Sequence, residues 1–233
     1  MIKIIDFKIR DLNDKIPHNK TLFYPCCGSD FISPIASFHD IIDTFYFCCL
    51  EDQQIDNTEL QKWLLGFKLV SNNVKVKFPV KHTKIENRGY NEQKKAEKYL
   101  DVWKNIKTGR EIKIYRVIQD GLTMLLYDPI LSQIGIFFYR GDGSGDGGSG
   151  IGWLMTDKDK TESYLEYNIH HVLQRLSENG LIVTDGSNSG VEYRFFYDKN
   201  KYDIKRNDKI FHCLGKISSS RDNQTVVWQV SSV

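Results

Sequence analysis

With 233 residues, 40% of them apolar and 27% charged, the chain has the make-up of a globular protein and not of a disordered one. Its 32 basic and 30 acidic residues nearly cancel, and the net charge of +2 gives no electrostatic argument for a nucleic-acid partner. The charged N-terminal stretch and the lack of an apolar run of about 18 residues predict neither signal peptide nor membrane span.

Five cysteines, two adjacent pairs and Cys213, do not form the spacing of a secreted disulfide framework. A single cytoplasmic domain over residues 1–233 is therefore expected. Ile2 to Ile9 reads as an edge strand. Thr21 to Tyr24 is a short apolar strand running into Pro25-Cys26-Cys27-Gly28-Ser29-Asp30. Phe31 to Ile42 then has apolar residues at helical spacing, with Ser33 or Asp30 as cap and Pro34 in the first turn. Thr44 to Leu50 is apolar almost throughout, as a strand covered on both faces should be, and it ends in Glu51-Asp52. Together these segments read as a βαβ unit.

Thr58 to Val70 has a helical stripe of Leu60, Trp63, Leu64 and Phe67, and Val74 to Phe78 alternates as a strand. A helix is expected from Asn91 to Ile106, and Lys94, Lys95 and Lys98, with Lys104, Lys107 and Arg110, form either a solvated helix surface or a weak basic face. Ile112–Ile118 and Leu122–Tyr127 flank Gln119-Asp120-Gly121, which suggests a hairpin. Ile134 to Tyr139 is a buried strand that stops at Arg140-Gly141-Asp142 and a loop with seven glycines between Gly141 and Gly152. Thr161 to Leu176 has a continuous apolar helical face, and Asn179-Gly180 suits its end. Leu181 to Val183 is a strand ending in Thr184-Asp185-Gly186-Ser187-Asn188. Val191–Tyr197, Ile210–Ile217 and Val226–Val230 read as largely antiparallel strands.

Four strand ends thus carry polar or glycine-rich turns. In an open parallel sheet such ends share one edge, where ligands bind. The glycine loop, with Gly147, Gly148 and Ser149, can bring backbone N–H groups close to a substrate. Trp153 either stacks on an aromatic ligand or anchors the loop in the core. Asp185, Ser187 and Asn188 would complete the substrate side of the crevice. The loop lacks GxxxxGK[ST], and Gly145, Gly147 and Gly150 match GxGxxG only after the wrong strand. Adjacent cysteines on a strand point to opposite faces, so Cys26-Cys27 and Cys48-Cys49 predict no metal site. His170-His171, successive on a helix, do not form a chelating pair.

From Thr21 to Phe196 the chain resembles the class I S-adenosylmethionine-dependent methyltransferases. The resemblance implies an α/β fold, with a Rossmann-like, mostly parallel central sheet flanked by helices and antiparallel C-terminal strands. It places the cofactor, S-adenosylmethionine, against Tyr24, Gly28, Ser29 and Asp30, with Glu51 or Asp52 on its ribose. Arg140 and Asp142 then stand at the catalytic edge, Asp142 as base or acceptor-positioning residue and Arg140 as anchor for an anionic substrate group. A pairing of Arg140 with Asp142 that merely braces the turn is the alternative. The first turn has Gly28 alone where the family has two or three glycines, and no Asn-Pro-Pro-Tyr follows the fourth strand. The expected function is methyl transfer to an unidentified acceptor. The alternatives are a non-catalytic ligand- or partner-binding module, and an enzyme handling a nucleotide or phosphorylated small molecule through the glycine loop.

Overall fold

Strands β1 (Thr21–Tyr24), β2 (Thr44–Cys49) and β6 (Ile134–Tyr139) are apolar on both faces and almost wholly buried. They can exist only inside a sheet that is covered above and below. The computed structural model describes residues 7–12, 14–49, 52–78, 97–140, 153–156, 169–187, 189–197, 203–217 and 225–233. In chain order its other strands are β3 (Phe67–Lys75), β4 (Glu97–Asn105), β5 (Glu111–Ile118), β7 (Leu176–Thr184), β8 (Asp203–Arg206), β9 (Lys209–Ile217) and β10 (Thr225–Ser232). All ten join one sheet in the order β3-β4-β5-β2-β1-β6-β7-β10-β9-β8.

This sheet corrects the expected α/β fold, because it is not a helix-flanked, mostly parallel Rossmann-like sheet. Five of its nine pairings are antiparallel, namely β3/β4, β4/β5, β7/β10, β10/β9 and β9/β8. Only β5-β2-β1-β6-β7 run parallel. Among the described residues the helices are short: α1 (Ile32–Phe38), α2 (Asn57–Trp63), α3 (Gly121–Tyr127) and α4 (Ile169–Arg175) have seven residues each.

The corrections have local causes. The helix read over Thr58–Val70 stops at Trp63, where Gly66 (φ 81°) turns the chain into β3. The helix read over Asn91–Ile106 is strand β4 from Glu97 onward, with Trp103 buried; residues 91–96 lie outside the described residues. Leu122–Tyr127 is no hairpin strand. Asp120 caps it as helix α3 by accepting a hydrogen bond from the Thr123 amide (3.0 Å), and Pro129 stops it. Val191–Tyr197 coils into 3-10 turns that lay Tyr193, Phe195 and Phe196 against Phe211 on β9. The start of the Thr161–Leu176 helix and the Ile2–Ile9 strand fall mostly on residues outside the described ones.

Alternation along the central strands divides the core into two layers. Phe23, Tyr46, Phe137 and Tyr139 face one cluster with Trp153, Trp228 and Phe196. Leu22, Tyr24, Phe45, Phe47 and Phe138 face the other, with Phe31, Ile35 and Phe38 from the α1 segment. Gly135 interrupts β6 because the chain crosses it: an added Cβ would lie 2.0 Å from the Asn19 carbonyl oxygen. No helix among the described residues is long and apolar enough to cross a membrane.

One charged pair is sealed inside the first layer. Lys98 on β4 donates to Asp128 Oδ2 (2.6 Å), and the Tyr46 hydroxyl donates to the same oxygen (2.5 Å). The Lys98 ammonium also lies over the rings of Tyr46 and Tyr115, 5.0 and 4.8 Å from their centroids. Burial pushes the Tyr46 phenol far above its ordinary range, so it remains a neutral donor. Removing one member leaves the other charge buried without its partner. Lys98→Met should therefore cost about 3–5 kcal/mol of unfolding free energy in urea titrations. Gly135→Ala should destabilise by about 1–3 kcal/mol in the same assay, because Asn19 is backbone and must shift. A Lys98→Met protein as stable as the parent would disprove the first of these.

Candidate functional site

Numbered by their own sequence order, the five parallel strands run 3-2-1-4-5 across the sheet. The order reverses between β1 and β6, so the carboxyl ends of these two neighbouring strands meet at the reversal. A crevice at such a reversal is where open sheets bind ligands. The residues at this point are Tyr24 and the turn Pro25 to Asp30 from β1, and Tyr139-Arg140 from β6.

The β1 turn is tight. Cys26 and Gly28 both have positive φ, 55° and 53°, so the chain reverses within four residues of Tyr24. Asp30 N–H donates to the Cys27 carbonyl (2.9 Å) and Phe31 N–H to that of Ser29 (3.0 Å), which leads into α1 without a side-chain cap. Neither Ser33 nor Asp30 caps that helix. The Asp30 side chain instead turns toward β6.

There it meets Arg140. The guanidinium of Arg140 donates through Nη2 to Asp30 Oδ2, and the Tyr24 hydroxyl donates to the same oxygen at 3.4 Å. Both members of the pair are largely buried, with side-chain exposures of 10% and 13%. Arg140 also lies over the Phe138 ring, 5.3 Å from its centroid. Burial works against its charge, but Asp30 and Tyr24 outweigh that and raise its pKa, so the cation is held firmly. Its Nε is buried and has no hydrogen-bond partner among the described residues. The pair thus bridges the two strand ends across the reversal, 110 residues apart in sequence. Arg140 was expected at this edge. Its partner is Asp30, a residue the local sequence around Arg140 does not indicate.

The second predicted acid is also tied. Asp52 follows β2 and accepts from Arg116 Nη1 at 3.3 Å; the same nitrogen donates to the Gln53 carbonyl at 2.8 Å. Arg116 Nη2 donates to the Asn73 side-chain oxygen, and the Asn73 amide donates to Asp101. Burial raises the pKa of Asp101 while Asn73 and Arg116 counter it. Arg116, Asn73 and Asp101 were missed in sequence. Arg116 carried a sign, because it continues the buried phase of β5 set by Ile112 and Ile114.

The remaining predicted residues divide. Asp185 and Ser187 follow β7 on the same edge, where Asp185 Oδ1 accepts from the Ser187 amide (2.9 Å) and hydroxyl (2.5 Å). They hold their own turn. Trp153 is buried in the core, edge-on to Phe23 at 5.7 Å, and it also approaches Gly121, whose missing side chain makes room for it. Glu51, Asp142, Gly147, Gly148, Ser149 and Asn188 lie outside the described residues.

Beneath the β1 turn, Cys27 and Cys49 both direct their thiols at the Gly28 carbonyl (3.5 Å each), while Cys48 faces the opposite layer. Burial raises the thiols of Cys27 and Cys48 well above their ordinary range. Among the described residues no three His, Cys, Asp or Glu side chains are grouped to hold a metal ion. Cavities of about 390 and 380 Å³ lie elsewhere, one between α3 and the end of α4, the other between α4 and the β8–β9 turn. No protein-family model, curated protein or solved structure matches the chain.

Two outcomes are expected here. Arg140→Gln leaves the Asp30 carboxylate without its cation and should cost about 2 kcal/mol of stability, whereas the double variant with Asp30→Asn should recover part of that loss. Additive losses in this cycle would mean that the pair carries no coupling. Cys27 and Cys48 should resist iodoacetamide near neutral pH until the protein is unfolded, because raised pKa values leave little thiolate. Rapid alkylation of either in the native protein would contradict this.

Proposed function

We propose that the chain binds S-adenosylmethionine at the reversal between β1 and β6 and transfers its methyl group to an acceptor held at the same edge. The observation that carries this reading is the buried Arg140 guanidinium, whose Nε has no hydrogen-bond partner among the described residues, with Asp30 across from it. A cation and an anion fixed side by side complement a zwitterion: the guanidinium suits an α-carboxylate and the carboxylate an α-ammonium. The methionine end of the cofactor carries both groups. The positive-φ turn at Cys26 and Gly28 lets backbone come close to it, and Tyr24 steadies Asp30.

Asp52, oriented by Arg116, is the residue for the ribose hydroxyls. Its side chain is about half exposed, so part of its accepting capacity faces outward. When bound, the cofactor supplies a methyl group already activated on a sulfonium, and the protein's task is chiefly alignment. Asp142, two residues after Arg140, is the candidate to take a proton from the acceptor.

One observation favours a second reading, a binding module without catalysis. Both predicted cofactor acids within the described residues are already matched by protein cations, Asp30 by Arg140 and Asp52 by Arg116. A chain that had lost its cofactor would close its site in this way.

Calorimetric titration with S-adenosylmethionine and with its demethylated product separates the two readings. The first expects micromolar binding of both, weakened about 10- to 100-fold by Arg140→Gln, since a hydrogen bond to a charged group contributes about 1.5–3 kcal/mol. Absence of heat in a protein with a cooperative melting transition would overturn the first reading in favour of the second.

A further inference from the structure

The antiparallel edge of the sheet carries a second cluster, far from the β1/β6 reversal and separated from it by β7. Asp203 on β8 lies directly opposite His212 on β9, and His212 lies opposite Gln229 on β10. Ser231, two residues beyond Gln229, projects from the same face of β10 and is the diagonal neighbour of His212. Strand register alone therefore sets an acid, an imidazole and a hydroxyl in a row across three strands.

The atoms are ordered as well as the residues. His212 Nδ1 lies 2.9 Å from Asp203 Oδ1, and Nε2 lies 3.1 Å from Ser231 Oγ. A carboxylate accepts but cannot donate, so it selects the neutral imidazole tautomer with the proton on Nδ1. Nε2 is then left with its lone pair toward the Ser231 hydroxyl, which donates to it. This is the polarity a general base needs to draw a proton from a serine. Ser232, the next residue, points to the other face and accepts from Lys209 Nζ at 3.0 Å. It is a serine in nearly the same place without the base.

We propose that Ser231 is a nucleophilic serine, activated by His212 and oriented through Asp203, which accepts acyl groups from activated carboxylic esters. In the reaction Ser231 Oγ bonds to the ester carbonyl carbon while its proton passes to His212 Nε2. The tetrahedral adduct expels the alcohol or phenol oxygen, which takes that proton, leaving acyl-Ser231 and restoring the neutral imidazole. No oxidant, metal or further reactant is required. The His212 and Asp203 side chains are 34% and 67% exposed, so a small ester reaches the serine from solvent. His212 is the base, and Asp203 is a positioning residue.

The test is acetylation of the full-length protein by 4-nitrophenyl acetate, with release of 4-nitrophenolate followed and the modified residue located by mass spectrometry. One acetyl group on Ser231 per phenolate released is expected, with Ser232 unmodified. His212→Gln should slow the labelling of Ser231 by about 100-fold or more, the contribution of a positioned general base. Asp203→Asn should slow it as well while leaving the melting temperature unchanged, a separation that a merely structural contact would not produce. If Ser231 reacts no faster than Ser232, or labels at the same rate in a folded His212→Gln protein, the three residues are only a polar cross-strand row and the proposal falls.

Discussion

The burial of β1, β2 and β6 on both faces is the constraint from which the rest follows. A strand that is apolar on both sides must lie in the middle of a sheet, with neighbours to satisfy its backbone and a layer on each face. Aromatic side chains do most of this filling. Tyr24 packs on Phe138 at 4.9 Å, Phe31 stands edge-on to Phe47 at 5.1 Å, and Phe23 meets Trp153 on the other face. Such rings have few alternative positions in a close-packed core, so the ends of β1 and β6 are held at a fixed separation. The geometry of Asp30 and Arg140 is inherited from that packing.

Against this apolar background the buried cations follow one pattern. Lys98, Arg116 and Arg140 are each almost wholly removed from solvent, and each meets one carboxylate from a distant part of the chain: Asp128, Asp52 and Asp30. Lys98 and Asp128 are fully enclosed and also stacked by tyrosines, which makes them a structural clasp between β4 and the end of α3. Arg116 and Arg140 stand at the carboxyl edge, and each keeps an Nε without a partner among the described residues. Incomplete satisfaction of a buried guanidinium costs free energy, and in a core that needed only a clasp a simpler pair would serve. An Nε without a partner among the described residues is a feature the two edge guanidinium groups share.

The sequence was legible where packing speaks through composition. Thr21–Tyr24, Ile32–Phe38, Thr44–Cys49 and Ile134–Tyr139 lie where the apolar runs put them, and so do Arg140 and the β1 turn. It misled where a period-2 stretch also fits a helical stripe. In Thr58–Val70 the residues Leu60, Leu64 and Phe67 are spaced for one helix face, yet a single glycine at position 66 splits the segment into helix and strand. From Lys98 onward, β4 was concealed by its polarity, because Lys98 and Asp101 are buried through partners 30 and 28 residues away. Reading the first residues of β3 and the whole of β4 as helix hid one antiparallel flank of the sheet. The Asp30–Arg140 and Asp203–His212–Ser231 contacts depend on strand order, and no local pattern reports strand order.

The mixed sheet separates two kinds of side-chain arrangement by position. Parallel strands at its centre create a reversal of order, where the β1 turn and the buried Asp30–Arg140 pair meet. Antiparallel strands at its margin can leave one face to water, and there cross-strand neighbours are set by register to within a hydrogen bond. The two regions share β7 and β10 as common support, since β7 pairs with β6 on one side and with β10 on the other. The packing of the central strands therefore bears on both regions.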